Sequence, residues 1–129
     1  MNEFSYSTKT SKSIDNVIED LTVSLKDAGF GILGTLNFKE IFQKKNIDYP
    51  LEYRLLEVCN PTAAKHVLEI NPEIGLLLPC TIAVYQKGDE NWISLARPTS
   101  LLSIANDKNL QPFGQEIEQK LIQAINKSK

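Results

Sequence analysis

Ile14, Val17, Ile18, Leu21, Leu25 and Ala28 recur at spacings of three and four residues, which predicts an amphipathic helix with one apolar stripe. Ser13 stands at the N-cap position and Asp15 in the first turn, where the helix dipole favours negative charge. Gly29 follows the stripe, where a residue able to take positive φ ends a helix. Val23 falls off the stripe and has no place in this pattern. Ahead of the helix, Phe4 to Thr8 alternates between apolar and polar and predicts a short strand.

Phe30 to Leu36 reads as a second strand, thinned by Gly31 and Gly34. Glycine inside a strand marks a bulge or a close approach by backbone or ligand. Asn37 and Glu40 have capping-box spacing and open a short helix that carries Phe38, Ile41 and Phe42 inward, ending near Lys44-Lys45. Tyr53 to Cys59 is the next strand, and Asn60-Pro61 starts a helix that buries Ala64, Val67, Leu68 and Asn71 before Pro72 stops it. Pro79 interrupts the apolar run from Leu76 to Tyr85, so the strand proper begins near Cys80. The polar loop from Lys87 to Asn91 joins it to Trp92–Ala96 as a hairpin. Pro98 to Ser103 reads as a short helix, and Pro112 opens a last one with Phe113, Ile117, Leu121 and Ile125 on one face. No repeat or linker divides the chain. The pattern predicts a single α+β domain over residues 1–129: an open, mainly antiparallel sheet of about five strands, with helices mostly on one face.

Composition narrows the function classes. With 42% hydrophobic and 23% charged residues, the chain is ordinary globular protein. A net charge of −2 leaves no excess of cations to neutralise a phosphate backbone, which argues against nucleic acid as a partner. Nothing approaches the run of about 20 apolar residues that a membrane span needs. The N-terminus shows no basic segment followed by an apolar one, so the chain reads as cytoplasmic and its two cysteines as thiols.

The stretches Gly29-Phe30-Gly31-Ile32-Leu33, Tyr53-Arg54-Leu55-Leu56-Glu57-Val58-Cys59-Asn60-Pro61 and Pro72-Glu73-Ile74-Gly75-Leu76-Leu77-Leu78-Pro79-Cys80 carry a resemblance. They are similar to the family known as domain of unknown function 302, over about residues 29–103, with the final helix at about 112–127 beyond it. The resemblance implies a small α+β homodimer from bacteria or archaea, with no assigned activity.

Candidate chemistry is sparse. Cys59 directly precedes a helix start, a placement that lowers a thiol pKa and makes it reactive; the competing reading is a packing residue at the end of a buried strand. Cys80 alternates with Ile82 and Val84 and reads as a core thiol. One crossover helix between their strands would make those strands parallel, placing the cysteines at opposite ends of the sheet. Their alternation also puts them on different faces, which argues against the Cα approach of about 7 Å that a disulfide needs. His66 is the only histidine and reads as a surface residue, so no multi-histidine metal site and no cofactor are expected. Arg97 beside Pro98-Thr99-Ser100 is a candidate anion site at a helix start; the plainer reading is an arginine paired with a carboxylate.

Glu57 lies mid-strand on the face of Tyr53, Leu55 and Cys59, with Tyr85 and Trp92 expected on that face of neighbouring strands. A face mixing a carboxylate, a thiol and aromatics is a pocket, a subunit interface, or a half-exposed surface with one solvated Glu. No nucleotide-binding glycine loop, nucleophile elbow or CxxC pair is present. The sequence thus points to a small-molecule or anion-binding module with Glu57, Cys59 and Asn60 lining its site and Arg97 as an anion ligand. The alternative is an enzyme using Cys59 as nucleophile or redox thiol. A third reading is an interaction domain, which requires Tyr53, Tyr85 and Trp92 to cluster.

Overall fold

A computed structural model describes residues 3–78 and 80–129. Met1 and Asn2 of the N-terminus, and Pro79, expected to break the run before the strand, lie outside the described residues. The caps act where the sequence places them. The Ser13 hydroxyl accepts the Asn16 N–H at 3.2 Å and starts helix α1, Ile14–Asp27. Gly29, with φ of 91°, turns the chain out of it. Val23 is exposed, which is why it has no place in the stripe.

Five strands form one sheet: β1 (Ser5–Thr10), β2 (Gly31–Asn37), β3 (Tyr53–Cys59), β4 (Cys80–Lys87) and β5 (Glu90–Ala96). Their spatial order is β1-β5-β4-β3-β2, and every pairing is antiparallel. The register in β2 shifts between Ile32 and Gly34, the irregularity that glycine in a strand announces. Gly88, with φ of 61°, opens the two-residue turn between β4 and β5.

One face of the sheet carries Leu56 and Val58 from β3, Ile82 and Val84 from β4, and Ile93 and Leu95 from β5, all fully buried. Leu21 and Leu25 of α1 join them, together with Leu121 and Ile125 of the last helix, α5 (Gln111–Ser128). Each such side chain contributes about 1.5–3 kcal/mol by leaving water, and α1 and α5 pack side by side over this face. A smaller apolar cluster gathers Val67 of α3 (Pro61–Ile70), Ile74 of a short 3-10 helix (Pro72–Leu77), Leu102 of α4 (Pro98–Ser103), and Leu110.

Four expectations are corrected. The connection from β3 to β4 contains α3 and then the 3-10 helix packed against it, so the chain returns to the end it left and β4 runs antiparallel to β3. Val58 pairs with Cys80, and the two cysteines therefore lie at the same end of the sheet, not at opposite ends; both are free thiols. Helix α3 buries only Val67: Leu68 and Asn71 are exposed, because the helix leans on the satellite cluster by a narrow strip. Helix α2 (Phe38–Lys44) buries none of its residues, and its phenylalanines turn to the sheet face opposite α1 and α5.

Candidate functional site

Strand alternation puts Tyr53, Leu55, Glu57 and Cys59 on the face that α1 and α5 leave uncovered. Tyr53 pairs with Tyr85 and Tyr85 with Trp92, so the three aromatics form one row across three strands. The Tyr53 and Tyr85 rings stack at 5.3 Å between centroids, inclined by 30°. The Tyr85 hydroxyl lies 2.9 Å from Ser94 Oγ, which lies 2.7 Å from Ser7 Oγ, continuing a polar line toward the β1 edge. Lys9 and Lys87 hold their ammonium groups 5.4 and 5.7 Å from the Trp92 ring centroid, within cation–π range.

Beside this row, α2 closes a pocket. The Asn37 side chain caps α2 by accepting the Glu40 N–H at 3.2 Å, and this start aims Phe38 and Phe42 at β3. Phe38 meets Tyr53 edge-on at 5.8 Å and 81°, and Phe42 meets Tyr49 at 5.2 Å and 63°. Phe38, Phe42, Tyr49, Tyr53 and Leu55 line an open pocket of about 290 Å³. No charged side chain lines this space. Burial, with the Tyr85 and Tyr49 hydroxyls nearby, raises the Tyr53 phenol above its ordinary 10.0.

The residues assigned to a site by sequence, Glu57, Cys59, Asn60 and Arg97, do not line that pocket. Glu57 shares its face, but is taken up by Thr81, whose hydroxyl donates to Oε2 at 3.3 Å. Cys59 and Asn60 stand at the other end of β3. The Asn60 side chain accepts the Ala63 N–H at 3.1 Å and so serves as the α3 cap. Cys59, Asn60 and Cys80 border a crevice of about 20 Å³, room for no more than a water molecule. Burial pushes the Cys59 thiol up, against the lowering expected of a helix start. Cys80 is pushed up to about 11 by burial, then by the Cys59 thiol and the Glu57 carboxylate. Cys59 also borders an open apolar groove with Leu33, Pro61 and Leu68.

Arg97 lies at the Cys59 end of the sheet, just past β5. Its Nε donates to Glu118 Oε2 at 3.3 Å, and Glu118 Oε1 accepts both the Thr99 N–H at 3.2 Å and the Thr99 hydroxyl at 2.6 Å. The anion at the start of α4 is thus a carboxylate of this chain. Glu118 sits on the apolar face of α5 and is nearly buried; nothing in its local sequence marks it, because its partners come from 19 and 21 residues away. His66 is exposed, its ring 5.3 Å from that of Phe113. Among the described residues, no group of three or more His, Cys, Asp or Glu side chains is placed to hold a metal ion. Among them, no helix is long and apolar enough to cross a membrane.

Residues 6–128 match the family described as Domain of unknown function DUF302. The chain is also similar to an uncharacterized conserved DUF302 protein from Bacillus stearothermophilus, known by crystal structure. Identity is 35%, 98% of each chain is covered, and the TM-score is 0.94. No curated protein matches the chain.

Proposed function

The chain belongs to the DUF302 family, whose description assigns no activity, and we propose from the site itself that the protein binds a small molecule of largely apolar surface in the pocket between α2 and β3. The observation that carries this reading is an open pocket of about 290 Å³ lined by four aromatic rings and Leu55 with no charged side chain among them. That volume is at the small end for ligand sites, so the guest is of modest size. An anion is disfavoured, since Arg97 is engaged by Glu118 at the other end of the sheet. The enzyme alternative has less support: Cys59 borders a crevice too small for a substrate on one side and an open groove on the other, and burial shifts its thiol pKa upward, away from the lowered value that an activated nucleophile needs. The test is an NMR titration of aromatic side-chain resonances with small neutral and charged fragments. Shifts confined to Phe38, Phe42, Tyr49 and Tyr53 support the reading; shifts that map elsewhere refute it.

The row of Tyr53, Tyr85 and Trp92 favours a second, compatible reading: two copies of the chain meet across the face free of α1 and α5, placing the pocket at their seam. Native mass spectrometry of fresh protein tests it. A dimer that Trp92→Asp converts to monomer supports this seam, and a wild-type monomer refutes it.

A further inference from the structure

The shape and charge of the aromatic pocket narrow its guest further, an inference that rests on the binding reading above. Its rings do not form a flat slot. Phe38 is inclined by 47° to Phe42 and by 81° to Tyr53, and Phe42 by 63° to Tyr49, with centroids 5.2–5.8 Å apart. At these separations the rings touch one another, edge to face or tilted, so together they form one curved apolar wall and not two parallel plates, a surface that suits a rounded group better than a planar one.

The electrostatics point the same way. Ring faces are the negative poles of their quadrupoles, and neither amine nor guanidinium lines the cup to compete for them. Burial raises the Tyr53 pKa, so its phenol is neutral and offers an uncharged ring. The segment from Phe38 to Tyr53 carries Lys39, Lys44 and Lys45 against Glu40, Asp48 and Glu52, so its formal charges cancel. Of these, Lys39 is tied to Glu52 at 3.7 Å. An anion would find only phenol hydroxyls here, and a neutral guest would gain burial alone. A soft cation with little hydration gains burial and the ring faces together.

We infer that the Phe38–Phe42–Tyr49–Tyr53 cup is a site for a quaternary or multiply methylated ammonium group.

The test uses two probes of nearly equal shape, choline and 3,3-dimethyl-1-butanol, in which carbon replaces the charged nitrogen. Each is titrated into the whole protein up to about 10 mM and followed by the aromatic resonances of the cup. Choline is expected to bind about tenfold more tightly than its neutral analogue, a ratio of the size cation–π attraction gives in a partly desolvated site. Phe42→Leu keeps the cup apolar and removes one ring face. It is expected to weaken choline about threefold or more while changing the neutral probe little. Equal affinity for both probes, or a preference for the alcohol, overturns the ammonium assignment and leaves the apolar pocket standing. Failure of both probes to perturb the cup overturns the ammonium site and the pocket reading together.

Discussion

Tyr53 and Tyr85 face each other at paired positions on β3 and β4, with ring centroids 5.3 Å apart, and the Tyr85 hydroxyl disfavours ionisation of Tyr53. Burial is the larger cause of the raised Tyr53 pKa and Tyr85 the next. In Tyr85→Phe the Tyr53 pKa should therefore fall, yet stay above 10.0. Ring-carbon NMR shifts followed against pH check this, and an unchanged Tyr53 titration would show that the two phenols do not communicate.

Cys80 predicts the alkaline behaviour of the fold. Its folded-state pKa is raised from 9.0 to about 11, so the folded protein holds this proton more tightly than the unfolded chain does. The associated stability is present below pH 9.0 and is lost as pH rises toward 11. At 1.36 kcal/mol per unit, that loss is at most about 3 kcal/mol. Denaturant melts of wild type and Cys80→Ala should show a stability gap that narrows over this window; a gap independent of pH contradicts the buried thiol.

Cys59 is half-exposed, and its thiol pKa is raised by burial alone. Iodoacetamide should modify it slowly at neutral pH and faster as pH climbs past 9, as peptide mapping would show. Rapid modification at pH 7 would reverse the ranking of the two functional readings and make Cys59 the leading catalytic candidate.

Glu118 ties α5 to the start of α4 through Arg97 and Thr99. In Glu118→Ala the guanidinium loses this carboxylate and the Thr99 N–H and hydroxyl lose their acceptor, which should cost about 2–3 kcal/mol. Glu118→Gln, which keeps one acceptor oxygen, should cost less. Equal stability of Glu118→Ala and wild type in chemical denaturation would remove the clamp from the account.

Local signals were legible in the sequence wherever one residue's chemistry decides a backbone event. Ser13, Asn37 and Asn60 cap the helices they precede, and the strand limits at Tyr53, Cys59 and Cys80 follow from the flanking breakers. The mixed face was legible too, because alternation alone sends Tyr53, Leu55 and Glu57 to one side. The direction of β4 was not, since it depends on the 3-10 helix reversing the path after α3. Nor was the pocket: the stripe of Phe38 and Phe42 suits either face of a sheet, and only tertiary packing sends it to the uncovered one. Arg97 was assigned as an anion ligand, with pairing to a carboxylate as the plainer reading, and Glu118 looked like any solvated residue of an amphipathic helix until the fold brought the two together.

Filling the pocket tests most directly whether it is a binding site. Leu55→Trp places a large side chain in the floor of the α2–β3 cup, and fragment binding to it and to wild type is compared by ligand-observed NMR. Fragments that bind wild type and are lost from a folded Leu55→Trp protein are the predicted result. Fragments that bind both proteins equally would contradict it.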